Sequence, residues 1–173
     1  STLGMLAIYS EGCEDDNGDV IVYNTHDLSL LHTIQNSDSL RDVIFSPDGQ
    51  YLALRSPETF SVIETATWTE VVSQSRSTGD NFFFNSVTWS GDSTRVIVAT
   101  GNNGGHMYEA PDWNEVEGAS STGILVTHHP SEEKIWYVGS DGSGNVYEYQ
   151  DVPLAGKRWV LTRSFTIQSP VYD

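Results

Sequence analysis

The sequence of 173 residues has one cysteine, few basic residues and no long apolar run. Because Cys13 stands alone, an intrachain disulfide and a cysteine-rich metal site are both excluded. A membrane-spanning helix needs about 20 consecutive apolar residues, and neither such a stretch nor a signal peptide is expected here. A lone thiol favours a reducing compartment, but one residue does not determine the localisation, which stays unknown.

The charge balance is strongly acidic. There are 24 Asp and Glu residues against 8 Lys and Arg residues, which gives a formal net charge of -16. A surface of this sign repels the phosphate backbone of nucleic acids and the headgroups of anionic membranes. We therefore expect neither a nucleic acid nor a membrane as partner. Solubility is the simplest explanation of the acidity, and a basic protein or peptide partner is the open alternative.

The most informative feature is an internal repeat. The segment RDVIFSPDGQYLAL at 41–54 returns as SVTWSGDSTRVIVA at 86–99 and more faintly as LVTHHPSEEKIWYV at 125–138. A second landmark is a tripeptide, VYN, VIE, MYE or VYE, that ends at Asn24, Glu64, Glu109 and Glu148. Both landmarks recur about every 40 to 45 residues. Two independent landmarks with one period indicate a real structural repeat.

Each period contains short segments rich in β-branched and aromatic residues, separated by Gly, Asp, Asn, Ser and Pro. No segment keeps an apolar period of about 3.6 residues long enough for a helix. About four short strands in a period of this length are typical of a β-propeller blade. The sequence therefore predicts an all-β protein, a propeller built from about four four-stranded antiparallel blades.

With these motifs in view, nearly the whole chain resembles a WD-repeat β-propeller, and VIFSPDGQYLAL is similar to the inner strand pair of that family. The Trp-Asp pair of the family is replaced at all four positions, for example by Tyr108-Glu109 and Tyr147-Glu148. Propellers of TolB type, whose blades also use a Ser-Pro-Asp-Gly turn, are the near alternative. The resemblance implies a non-catalytic module that presents loops to a protein partner, that is, an interaction or scaffold protein.

The expected blades divide a single domain, 1–173, unequally. Blade one covers about 1–35 and lacks its inner strand, blade two about 39–75, blade three about 83–120 and blade four about 123–168, and 169–173 begin a further inner strand. This arrangement fits a four-bladed ring closed by 169–173, half of an eight-bladed ring, or a segment of a larger propeller. An open blade edge is a liability, so we expect self-association or continuation in a longer chain to complete the ring.

Motifs of catalysis are not found, and we expect no enzyme activity, no cofactor and no metal. His128 and His129 are adjacent, so in a strand their side chains point to opposite faces, and His128 is expected to replace an inner-strand aromatic. The acidic stretch EDDNGD at 14–19 fails the EF-hand spacing and is interpreted as a hairpin tip, with a weak calcium site left open.

The candidate partner-binding residues combine aromatic and acidic or polar side chains. NFFFN at 81–85 lies in a long connection, where Phe83 should face away from its neighbours in an extended segment. The topology of the family implies that this connection and the 14–19 hairpin emerge on the same face. Core packing of the phenylalanines is the alternative to binding. The residues proposed for binding are Glu14, Asp15, Asp16, Phe82, Phe83, Phe84, Asn102 and Asn103.

Two tryptophans occupy equivalent turns of the repeat. Trp68 and Trp113 both stand in the pattern Glu-x-x-x-Trp-x-Glu-Val. Equal position in two repeats favours a structural task, such as capping a blade edge. The alternative function is a carbohydrate-binding propeller, in which these rings would stack on sugars.

Overall fold

A computed structural model of the chain describes residues 4–9, 18–35, 39–77, 82–101, 104–116, 125–129, 132, 134–139, 142–153 and 155–166. In this part of the chain the regular elements are β-strands, joined by antiparallel pairing into four sheets. Contacts divide the chain into two compact units, Ser1–Asp80 and Asn81–Asp173, and each unit contains two of the sheets. The described residues include no helix with the length and apolarity that a membrane span requires.

The first unit contains a three-stranded and a four-stranded sheet, each with its strands in chain order. The strands of the first sheet are β1 (Met5–Tyr9), β2 (Val20–Asn24) and β3 (Leu30–Ile34), and those of the second are β4 (Asp42–Phe45), β5 (Tyr51–Arg55), β6 (Thr59–Glu64) and β7 (Thr69–Ser75). Val20 and Val22 from the first sheet share a buried core with Leu52, Leu54 and Ile63 from the second. Alternate residues of the strands face this core, as the period of two requires.

The second unit contains two four-stranded sheets. The third sheet consists of β8 (Ser86–Trp89), β9 (Arg95–Ala99), β10 (Gly105–Glu109) and β11 (Asn114–Val116), and the fourth of β12 (Leu125–His128), β13 (Lys134–Val138), β14 (Ser143–Val152) and β15 (Gly156–Thr166). Their shared core joins Ile97 and Met107 to Ile135, Tyr137 and Trp159. The Trp159 indole Nε1 donates a hydrogen bond to the Met107 sulfur at 2.8 Å, so even the polar edge of this ring is satisfied inside the core.

The strand register reproduces the sequence repeat. The four residues of the second landmark each pair with the first residue of the preceding strand: Asn24 with Met5, Glu64 with Tyr51, Glu109 with Arg95 and Glu148 with Lys134. On the inner strands, Phe45 pairs with Leu52, Trp89 with Val96 and His128 with Ile135. His128 therefore occupies the position that an aromatic residue has in the second and third sheets.

The inner hairpin turn is held by the same hydrogen bonds in two sheets. The Ser46 hydroxyl donates to Asp48 at 2.7 Å and accepts from the Tyr51 backbone N–H at 3.0 Å. In the third sheet, the Ser90 hydroxyl donates to Asp92 at 2.6 Å and accepts from the Arg95 backbone N–H at 2.9 Å. The Ser-x-Asp pattern recurs because its side chains satisfy the backbone of a tight turn.

Candidate functional site

The three phenylalanines of 82–84 lie immediately before β8 and have unequal environments. Phe84 is 4% exposed and belongs to the core, whereas Phe83 is 48% exposed. The Phe82 ring contacts Phe84 edge-to-face, with ring centroids 5.7 Å apart. An extended backbone sends successive side chains to opposite sides, so packing of Phe82 and Phe84 leaves Phe83 directed to solvent.

A histidine and a carboxylate lie next to these rings. The His106 Nδ1 and Glu115 Oε1 atoms are 2.5 Å apart across the β10–β11 hairpin, and the His106 ring centroid is 6.4 Å from that of Phe82. About half of the Glu115 side chain (52%) is exposed. We call Phe82, Phe83, His106 and Glu115 the aromatic–acidic patch.

This patch offers an apolar surface and a negative charge to the same ligand. Burial, and then the negative charge of Glu115, raise the pKa of Tyr108, so its phenol remains neutral beside the patch. A cation can interact with the Glu115 carboxylate and with the face of a phenylalanine ring, and apolar groups can cover Phe83. The chemistry therefore suits a segment that carries both basic and apolar side chains.

His106 and Glu115 were missing from the sequence-based candidates. They are nine residues apart, and only the pairing of β10 with β11 brings them together. A signal was available, because Glu115 belongs to the Trp-x-Glu-Val pattern that the repeat shares with Trp68-Thr69-Glu70-Val71. That pattern predicts a strand at 114–116 that pairs with the strand containing His106.

The remaining partner-binding candidates, Glu14, Asp15, Asp16, Asn102 and Asn103, lie outside the described residues. Residues 14–17 of the possible calcium site lie outside the described residues as well. Within the described ranges, no three His, Cys, Asp or Glu side chains come together as a metal site requires.

Trp68 and Trp113, which occupy equivalent positions of the repeat, both have a positive φ, of 56° and 53°. The Trp68 ring is stacked on the His32 ring, with centroids 4.6 Å apart and planes 5° apart, and it packs against the core of the first unit. The Trp113 ring meets Trp89 edge-to-face at 6.0 Å. Leu28 also has a φ of 56°. It stands four residues after Asn24, as Trp68 and Trp113 stand four residues after Glu64 and Glu109, although the residue type differs.

An open cavity of about 300 Å³ lies in the first unit. It is lined by Gly4 and Met5 at the start of β1 and by residues 45–49 of the inner hairpin turn. Among the described residues, β1 is the edge of its sheet, since β2 pairs with it on one side only. The cavity thus borders an edge at which the other three sheets have a further strand.

No protein-family model and no curated protein matches the chain. Among solved structures, the chain is similar to KlHsv2 with loop 6CD replaced by a Gly-Ser linker, with a TM-score of 0.62 and 11% sequence identity. The match covers 86% of this chain and 52% of that chain, so the present chain spans about half the length of that protein. In all, 973 chains of solved structures match, so the fold is widespread and indicates no particular activity. Together with the four antiparallel sheets, this likeness confirms the predicted fold class: the chain has an all-β, propeller-like fold.

Proposed function

We propose that this chain is a non-catalytic protein-interaction module that binds a basic, amphipathic peptide segment of a partner through the aromatic–acidic patch. The observation that carries the proposal is the exposure of Phe83, which is 48% exposed although Phe84 beside it is buried. Large aromatic side chains are enriched at the energetic centres of interfaces. Glu115 supplies the complementary charge for a lysine or arginine of the partner.

The net charge supports the same class of partner. A chain with a formal net charge of -16 attracts basic segments over a long range and speeds their encounter. Such attraction is sequence-tolerant, whereas the contact with Phe83 depends on one side chain. Specificity therefore resides in the patch, and the general charge contributes mainly to the association rate.

The repeat type is also part of the proposal. We infer that the sheets are degenerate repeats of the WD type, supported by the shared Ser-x-Asp turn of the second and third sheets. The TolB-type alternative uses a similar turn, so this feature does not separate the two. Both readings describe a rigid scaffold whose loops contact other molecules.

Carbohydrate binding receives less support. Sugar stacking needs an accessible ring face, and one face of Trp68 is covered by the stacked His32 ring. The Trp113 ring is half-buried against Trp89. A glycan array probed with the chain would favour this alternative if it gave signals that are lost on replacing Trp113.

The peptide-binding proposal can be tested by fluorescence anisotropy. The probe is a labelled peptide of alternating lysine and leucine, and a glutamate–leucine peptide of equal length serves as the charge control. We expect Phe83→Ser to weaken binding of the basic peptide about tenfold, which is about 1.4 kcal/mol. Glu115→Gln should weaken it less and reduce its dependence on salt.

The matched control is Leu161→Ser. Leu161 is 51% exposed, close to the value for Phe83, but it lies on β15 at the outer edge of the fourth sheet. Binding driven by charge alone would be unchanged in both variants. Equal affinity of Phe83→Ser and Leu161→Ser for the basic peptide would therefore contradict the assignment of the patch.

A further inference from the structure

The first sheet exposes two apolar side chains whose counterparts in other sheets are buried. The register makes Leu6 equivalent to Leu52 and Ile135, and Ile8 equivalent to Leu54 and Tyr137. These four counterparts are at most 5% exposed, whereas Leu6 is 43% and Ile8 is 52% exposed. The pairing with the following strand is the same, but among the described residues β1 lacks the inner-strand neighbour that β5 and β13 have. Both this open edge and the sheet that covers the position contribute to the difference in exposure.

In both units, the sheet that comes earlier in the chain covers this position. Leu52 and Leu54 share a core with Val20 and Val22 of the first sheet. Ile135 and Tyr137 share a core with Ile97 and Met107 of the third sheet. The face that carries Leu6 and Ile8 is therefore of the kind that packs against an earlier sheet.

The fourth sheet exposes the opposite kind of face. Trp136 is equivalent by register to Ile97, which is fully buried against the fourth sheet, and to Ala7, which packs toward the second sheet. Trp136 is nevertheless 44% exposed, and Leu125 on the neighbouring strand is 51% exposed. This face is of the kind that packs against a later sheet.

Apolar residues occupy the centres of both faces, although the chain as a whole is strongly acidic and Arg163 on the edge strand β15 pairs with Val146. Ile21 and Tyr23 lie opposite Ile8 and Leu6 on the first sheet. On the fourth sheet, Val138 pairs with Leu125 and Val146 pairs with Trp136. Exposed apolar patches of this kind mark surfaces that another protein covers.

We propose that a second copy of this chain covers these faces, with the fourth sheet of one copy stacked on the first sheet of the other. The chain itself carries the two complementary faces, and within each unit faces of these two kinds already pack together. Because one face differs from the other, the contact is head-to-tail. Repulsion between two chains of net charge -16 opposes the pairing, so added salt strengthens it.

The experiment is a measurement of solution mass by light scattering over a hundredfold range of chain concentration. We expect the mean mass to rise with concentration above the chain mass of 19.1 kDa, to twice that value or more, because a head-to-tail contact leaves one face free at each end. Added salt should favour this rise. Ile8→Lys and Trp136→Glu should each abolish it, because each places a charge in an apolar contact. Leu161→Lys is the control, since Leu161 pairs with the buried Tyr147 and lies on the other face of the fourth sheet.

Mixing the two variants distinguishes this contact from a symmetric one. In a mixed pair, the intact fourth sheet of the Ile8→Lys chain meets the intact first sheet of the Trp136→Glu chain, so association should return on mixing. Circular dichroism checks that both variants fold. A single-chain mass at all concentrations, association that survives both substitutions, or no recovery on mixing would each overturn the proposal; the first of these is expected if further sheets of a longer chain cover the faces instead.

Discussion

The three equivalent turns at Leu28, Trp68 and Trp113 allow a stability prediction in which the backbone contributions cancel. Leu28 and Trp68 share a φ of 56°, a left-handed conformation that costs an L-residue about 1 to 2 kcal/mol. Glycine relieves this strain but loses more entropy on folding, by about 0.5 to 1 kcal/mol. Because both terms are nearly equal at the two positions, Leu28→Gly and Trp68→Gly differ only in the packing they remove.

The packing removed is small at one position and large at the other. Leu28 is 67% exposed, so about one third of a leucine is buried, which is worth about 0.5 to 1 kcal/mol. Trp68 is half-buried, stacked on His32 and packed on the core of the first unit. Since Trp→Ala costs about 3 to 5 kcal/mol at a fully buried site, about 2 kcal/mol is expected here.

The net backbone gain of about 0.5 to 1 kcal/mol offsets the packing lost by Leu28→Gly, so this variant should unfold within about 0.5 kcal/mol of the parent chain. The same gain offsets only part of the packing lost by Trp68→Gly, which should be less stable by about 1 to 1.5 kcal/mol. Urea unfolding followed by far-ultraviolet circular dichroism measures both, and both residues belong to the first unit. Equal losses in the two variants would refute the packing argument. If Trp68→Gly had the same free energy of unfolding as the parent chain, the Trp68 ring would not stabilise the fold, and the carbohydrate alternative would be favoured.

Three further predictions concern the second unit. Burial raises the pKa of Asp92, but hydrogen bonds from Ser90 and Thr94 and the charge of Arg95 outweigh burial and hold this pKa below the ordinary value of an aspartate. The contribution of Asp92 to stability is therefore fully present above its unfolded-state pKa and is lost as the pH falls through the lower folded-state pKa. Asp92→Asn should cost about 1 kcal/mol at pH 7, and a urea-unfolding difference that does not shrink in acid would contradict this. The buried Tyr137 hydroxyl has no hydrogen-bond partner among the described residues, so Tyr137→Phe should leave the melting temperature unchanged or raised, and a clear decrease would be inconsistent with that environment. A Cβ added at Gly105 would lie 1.9 Å from the Tyr137 hydroxyl, so Gly105→Ala should cost about 1 to 3 kcal/mol, and less in the Tyr137→Phe background; a double-mutant cycle with no coupling would argue against the contact.

Features that depend on neighbouring residues were predictable from the sequence. The period of the landmarks, the Ser-x-Asp turn and the alternation of Phe82, Phe83 and Phe84 are short-range, and the structure places each as the pattern indicates. The replacement of an inner-strand aromatic by His128 followed from aligning the turns, and the strand register agrees with it. Side-chain alternation and turn hydrogen bonds act over a few residues, so their signal is present in any short window.

Features that depend on strand pairing or on stacking between sheets came only from the tertiary structure. His106 and Glu115 meet because two strands pair, and His32 meets Trp68 because the first two sheets pack together. The sequence by itself determined that Leu6 and Ile8 share one face of a strand. Whether such a face is covered depends on a second sheet, and the tertiary structure alone showed that Leu52 and Leu54 are covered whereas Leu6 and Ile8 remain exposed, because burial is a property of the assembled sheets and not of the strand.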